Sequence, residues 1–173
     1  MTMAYTQLIM RHPDLSKVPP LSLPAGVTLR THRSGDEKNW EEIIESAFEH
    51  HFDFDFLMNA GDYAPEKVLY LWKGGKAIAT ATAVENSRYP GEGWFRMVGV
   101  RKDSRGQGAG KQIALAALHS LKERGYKTAV LSTDDYRLPA IGLYLSVGFE
   151  PIYLDEEHKA RWAEVMKQLN KGQ

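Results

Sequence analysis

Residues 105–111 read RGQGAGK, three glycines at alternate positions with a lysine behind them, and the apolar positions Ile113, Ala114, Ala117, Leu118 and Leu121 follow at helical spacing. Glycine-rich turns leading into helices suit phosphates of many kinds, because exposed backbone N–H groups and the positive end of the helix dipole favour any such anion. A nucleoside triphosphate loop requires a glycine five residues before the Gly-Lys pair and a Ser or Thr after it to reach Mg²⁺. Arg105 and Gln112 occupy those places. The dinucleotide fingerprint G-x-G-x-x-G, begun at Gly106 and Gly108, requires glycine where Lys111 stands, and it belongs near the first strand of a parallel sheet. Taken alone, the loop leaves its ligand open.

Working outward, WFRMVGV (94–100) reads as a strand running into the loop, and its Gly99 signals a bulge or a close backbone approach. Gly125 ends the helix behind the loop. TAVLST (128–133) then returns as a buried strand, Pro139 opens a helix reaching Val147, FEPIYL (149–154) is the last clear strand, and an amphipathic helix over 158–170 closes the chain. Upstream, VLYLW (68–72) and AIATATAVE (77–85) flank KGGK, a hairpin signal. VTLRTHR from Val27 alternates like a strand, and Asp36 is positioned to cap a helix with Trp40, Ile43, Ile44 and Phe48 on one face. Residues 49–66 read as a short helix inside a long loop. A short strand is expected at Gln7–Arg11, followed by the proline-bearing connector KVPPLSLPAG (17–26). Hairpins first and a βαβα half second make a mixed α/β sheet.

The chain has 173 residues, which fits one domain with a sizeable core. Lys plus Arg equals Asp plus Glu at 22 each, so no global basic field draws nucleic acid or an anionic membrane. The absence of cysteine excludes disulfides, thiolate nucleophiles and thiolate metal sites, and a cytoplasmic location is expected. No stretch approaches the roughly 20 apolar residues of a membrane span.

Arg105-x-x-Gly108-x-Gly110 resembles the signature of the GNAT acetyltransferase superfamily: Gln or Arg, two residues, Gly, one residue, then Gly or Ala. The resemblance extends to the preceding MVGV strand and to Ala140, Leu143, Tyr144, Gly148 and Phe149, which reproduce a second signature on the downstream helix. It covers roughly Val27 to Leu154. It implies a single-domain α/β GNAT fold: a mixed, mostly antiparallel sheet of about six to seven strands, a bulged and splayed central strand, and flanking helices. On this reading residues 1–26 are an extended arm, 27–154 the acetyltransferase domain, and 155–173 a C-terminal helix packed on the same domain.

The resemblance also implies a ligand and a reaction: acetyl transfer from acetyl-CoA, with no metal, to a primary amine of a small molecule, an amino-acid-like compound or a protein. The pyrophosphate would sit over the N–H groups of Arg105, Gly106, Gln107, Gly108, Ala109, Gly110 and Lys111. The pantetheine arm would pair with Val98, Gly99 and Val100 like an added strand, and Arg137, which stands where the family usually has Asn, is a candidate CoA contact. The Val98 N–H is the candidate oxyanion donor and Tyr144 the candidate leaving-group acid, although Tyr144 also suits core packing. A histone-type member carries its glutamate base at the position of Arg96, which cannot act as a base and either binds a substrate carboxylate or meets a local acid. Substitute bases are Glu85, Glu92, Asp134 and the His50-His51 pair. The acceptor wall is expected around HHFDFDF (50–56), which offers His51 and Phe54, with the packing of those rings into the core as the alternative. A non-catalytic acyl-CoA-binding domain and a transferase using another acyl-CoA are the competing readings. A homodimer through the arm or terminal helix is open.

Overall fold

The computed structural model describes residues 6–61 and 63–172. Its strands are β1 (Leu8–His12), β2 (Val27–Thr31), β3 (Val68–Lys73), β4 (Lys76–Glu85), β5 (Gly93–Val100), β6 (Ala129–Thr133) and β7 (Glu150–Ile152). They form one seven-stranded sheet in the order β2-β3-β4-β5-β6-β1-β7. Every paired neighbour is antiparallel except β5 and β6. The parallel pair requires a crossover, which is α3 (Ala109–Glu123). The other helices are α1 (Glu37–Phe48), α2 (Phe54–Met58), α4 (Leu138–Ser146) and α5 (Glu156–Lys171). The single α/β domain with a mixed sheet and flanking helices, expected from the sequence, is borne out.

The period of two along a strand sorts the core into two layers. Leu69 and Leu71 of β3 join Ile113, Leu118, Ile141 and Trp162 beneath α3, α4 and α5, while Val68 and Tyr70 join Trp40, Ile43, Ile44 and Phe54 beneath α1 and α2. Asp36 stands just before α1 but does not cap its first turn. Its carboxylate instead accepts from the Arg33 N–H at 2.8 Å and from the Arg30 guanidinium at 2.6 and 3.1 Å.

Of the arm expected over residues 1–26, residues 1–5 lie outside the described residues, and residues 8–12 are part of the sheet. The strand expected at Gln7–Arg11 is present as Leu8–His12, inserted between β6 and β7, with Leu8 and Met10 fully buried. The apolar triplet Leu8-Ile9-Met10 is buried along its whole length, which makes β1 an interior strand of the sheet and ties it to the core. No helix among the described residues is long and apolar enough to cross a membrane.

Candidate functional site

The site begins with a defect in β5. Thr80 of β4 faces Gly99 and Thr82 faces Arg96, so Ala81 alone opposes both Met97 and Val98. That is a β-bulge, and Met97 takes φ of 51°, a left-handed conformation that costs a non-glycine residue about 1–2 kcal/mol. The bulge therefore lies at Met97–Val98 and not at Gly99. Gly99 serves packing: a Cβ there would lie 3.0 Å from the Ala47 Cβ and 3.3 Å from Ile43 Cγ2, so its hydrogen lets α1 seat on the strand.

The extra residue also resets the alternation of side chains. Phe95 and Val98 point to the α3 layer, whereas Met97 packs with the α1 layer and Arg96 stands over Tyr63 of that layer. Arg96 and Val98 thus do not share a face, as simple alternation would require. Pairing of β5 with β6 covers only Gly93–Ala129 and Trp94–Val130, after which the strands part.

Where they part, a slot of about 100 Å³ opens, lined from β5 by Phe95, Arg96, Met97 and Val98 and from β6 by Leu131, Ser132 and Thr133, with Asp134 just beyond. It meets a larger cleft of about 690 Å³, within the range of small-molecule sites. Phe48, Val98, Arg137 and Tyr144 line both spaces and form their junction. Tyr144 sits on α4 with its ring edge-to-face against Phe95 at 5.7 Å, and burial pushes its phenol up to about 12 against the opposing effect of Arg137. The Arg137 guanidinium lies 3.9 Å above the Phe48 ring, which fixes it at the mouth of α4.

The floor of the large cleft is the glycine loop. Gly106 and Gly108 have φ of 77° and 81°, so two of the three glycines supply left-handed backbone. Gly110 supplies room instead, because a Cβ there would approach Leu143 Cδ2 at 3.3 Å. The cap residue Gly108 gives no side-chain acceptor to the first turn of the fifteen-residue α3, whose leading N–H groups accordingly face the cleft wall formed by Gly108, Ala109 and Gly110. Donors and dipole together fit a pyrophosphate. Lys111 lines the cleft, and Arg105 lines it while reaching the Ser46 carbonyl at 3.3 Å. The Gln107 side chain turns away and bonds Lys73 Nζ at 3.2 Å, leaving only its backbone as a contact.

Several expected residues are elsewhere. Glu85 and Glu92 stand at the far end of β4 and β5, where Glu85 pairs with Gly93, about four residues of strand from the bulge. Glu92 is ion-paired to Arg11 at 2.7 and 3.0 Å and accepts from Thr128 at 3.0 Å, contacts that hold its carboxyl below its ordinary value. His51 is exposed, 3.6 Å from the Glu45 carboxylate, and lines neither space. Phe54 is buried in the α1 layer, stacked on His32 at 4.5 Å, so the alternative of core packing is the correct one for that ring. Of the candidate bases, only Asp134 lines the slot. Sequence reasoning missed Ser132 and Thr133, which enter the site because β5 and β6 are neighbours that splay, and Phe48, which the end of α1 carries to the junction. Among the described residues no group of three or more His, Asp or Glu is arranged to hold a metal ion.

β5 thus parts from its parallel neighbour β6 beside an uncapped helix start that suits a phosphate. Residues 33–149 match the family model described as the Acetyltransferase (GNAT) family, and the chain belongs to that family. Its curated relatives include a mycothiol acetyltransferase of Streptomyces bingchenggensis, 33% identical over 79% of this chain and 47% of the relative. Another, from Pseudarthrobacter chlorophenolicus, is 30% identical over 76% of this chain and 45% of the relative. The chain therefore spans about half the length of the curated relatives it matches. Among solved structures, a GCN5-related N-acetyltransferase from Sphaerobacter thermophilus superposes with a TM-score of 0.69 at 28% identity, over 84% of this chain and 48% of that one.

Proposed function

We propose that this chain is an acetyl-CoA-dependent N-acetyltransferase acting on a primary amine. The observation that carries the reading is the junction at Val98 and Tyr144, where a cleft sized and lined for an acyl-CoA meets a small polar slot at the bulge of β5. Acetyl-CoA would supply the acetyl group as a thioester. The N–H groups from Arg105 to Lys111 would hold its pyrophosphate, with Arg137 as a further charge contact, and the backbone of Val98, Gly99 and Val100 would hold the pantetheine arm in the place β6 leaves vacant by diverging. The relatives named for mycothiol acetyl transfer support a small-molecule acceptor for this chain.

The reaction forms an N–C bond and breaks a C–S bond. The amine must first lose a proton, and Asp134 is the candidate to take it, directly or through water, because it lines the slot. The Val98 N–H, beside the bulge, would donate to the oxygen as negative charge builds there. Tyr144 is neutral at physiological pH and would donate a hydrogen bond to the departing sulfur. Its pKa of about 12 lies above the roughly 8.5 of a thiol, so the donor stabilises charge on sulfur and does not need to surrender its proton fully.

The test is acetyl-CoA binding and acetyl transfer across a panel of amines, with wild type and Tyr144→Phe, repeated with succinyl-CoA. Transfer from acetyl-CoA that falls on removal of the hydroxyl supports the proposal. Tight acyl-CoA binding with no transfer to any amine would make the chain a binding domain, and preference for the succinyl donor would reassign the acyl group.

A further inference from the structure

Arg96 is a cation that the transferase chemistry leaves unused. Its guanidinium carbon lies 4.9 Å from the centre of the Tyr63 ring and 6.0 Å from that of Trp94, so two aromatic residues hold it in place while it lines the slot. No carboxylate among the described residues is within ion-pair distance of it, whereas Arg11, Arg30, Arg101 and Arg161 all have one. The flanking residues are themselves incompletely satisfied: Tyr63 Oη and Trp94 Nε1 are buried and have no hydrogen-bond partner among the described residues. A half-buried cation walled by aromatic rings, with no counter-ion among the described residues, suits an anion supplied from outside. Charge in the slot points the same way, since Arg96 and Arg137 line it with Asp134 as the one acid among the described residues.

We propose that Arg96 anchors the acceptor by a carboxylate, so that the amine this site takes is one that also carries a carboxylate group. The inference rests on the transferase reading above and narrows it. A planar guanidinium meets a carboxylate through two parallel N–H···O bonds, which fixes orientation as well as charge. The acceptor then lies between two poles, its carboxylate on Arg96 of β5 and its amine toward Asp134 and the junction at Val98 and Tyr144. The slot has room for several water-sized groups, enough for such a headgroup.

Matched pairs of amines that differ only in carrying a carboxylate or its neutral amide test this, at several spacings between the amine and the acid. Wild type should prefer the acid by roughly ten- to hundred-fold in kcat/KM, the range expected for a charged hydrogen-bonded contact. Arg96→Gln should bring that ratio near one, mainly through KM, with acetyl-CoA affinity unchanged, and Arg96→Lys should keep part of it. Calorimetric binding of the same pairs to protein saturated with coenzyme A gives a readout that needs no turnover. Acid-selective, Arg96-dependent binding without transfer would sustain the anchor and overturn the transferase reading. Equal binding and equal transfer of acid and amide by wild type, or a preference that survives in Arg96→Gln, would overturn the anchor itself.

Discussion

Replacing Gly99 with alanine inserts a single methyl group where α1 meets the bulged strand. The new Cβ would lie 3.0 Å from Ala47 Cβ, 3.3 Å from Ile43 Cγ2 and 3.4 Å from Ile44 Cδ1, and the nearest of these is the stub of a helical side chain that cannot rotate away. Overpacking of this kind costs about 1–3 kcal/mol, while alanine gains roughly 0.5–1 kcal/mol over glycine in strand backbone entropy. The expected net loss is about 0–2.5 kcal/mol, or a fall of up to about 10 °C in Tm for a chain of this size. The contact can be isolated by a double-mutant cycle. Ala47→Gly alone should cost about 1 kcal/mol through helix propensity, but in the Gly99→Ala background it removes the clashing atom. The double variant should therefore be more stable than the sum of the single effects by about 1 kcal/mol, read from urea unfolding at constant m. Additivity within about 0.5 kcal/mol would refute the close approach as the reason for Gly99.

Three further outcomes are expected. Tyr144→Phe should lower kcat about a hundred-fold while leaving acetyl-CoA affinity nearly intact, and because burial pushes the phenol up to about 12, the wild-type pH–rate profile should show no falling limb below about pH 10 from this group. Such a limb, lost in the Phe variant, would refute the raised pKa, and an unchanged kcat in that variant would refute the role of the hydroxyl. Gly108→Ala, at φ of 81°, should cost about 1–2 kcal/mol of stability and weaken acetyl-CoA binding, as measured by thermal shift with and without the ligand; equal ligand-induced shifts in the two proteins would separate the loop from the ligand. The Arg11–Glu92 pair holds the Glu92 carboxyl below its ordinary value of 4.5, so its contribution is present above that pH and fades as pH falls through the lower folded value. Glu92→Gln should then be less stable than wild type at pH 7, with the gap closing below pH 4.5; a gap that widens on acidification would invert the argument.

The glycine loop and the two helices around it were legible in the sequence because each depends on local chemistry. Left-handed backbone at Gly106 and Gly108, an uncapped helix start and an apolar face at helical spacing all operate within a few residues. The hairpin of β3 and β4 was legible for the same reason. What the sequence did not disclose depends on pairs distant in the chain. Glu85 and Glu92 look as suitable as Asp134 until strand register puts them at the other end of β5, with Glu92 against an arginine 81 residues away. Val98 and Arg96 read as face-sharing until the bulge at Met97 shifts the phase, and no residue type announces that bulge, since methionine has no preference for positive φ. Phe54 sits in a run expected to form the acceptor wall, yet helix capping by Asp53, which accepts from the Phe56 N–H at 2.7 Å, goes with Phe54 turned inward and Phe56 exposed. The strained Met97 therefore links the local to the distant: it parts β5 from β6, opens the slot between them, and turns Arg96 toward Tyr63 and Trp94. The shape of the slot follows from a conformational defect whose cost is offset by the packing of Met97 into the α1 layer.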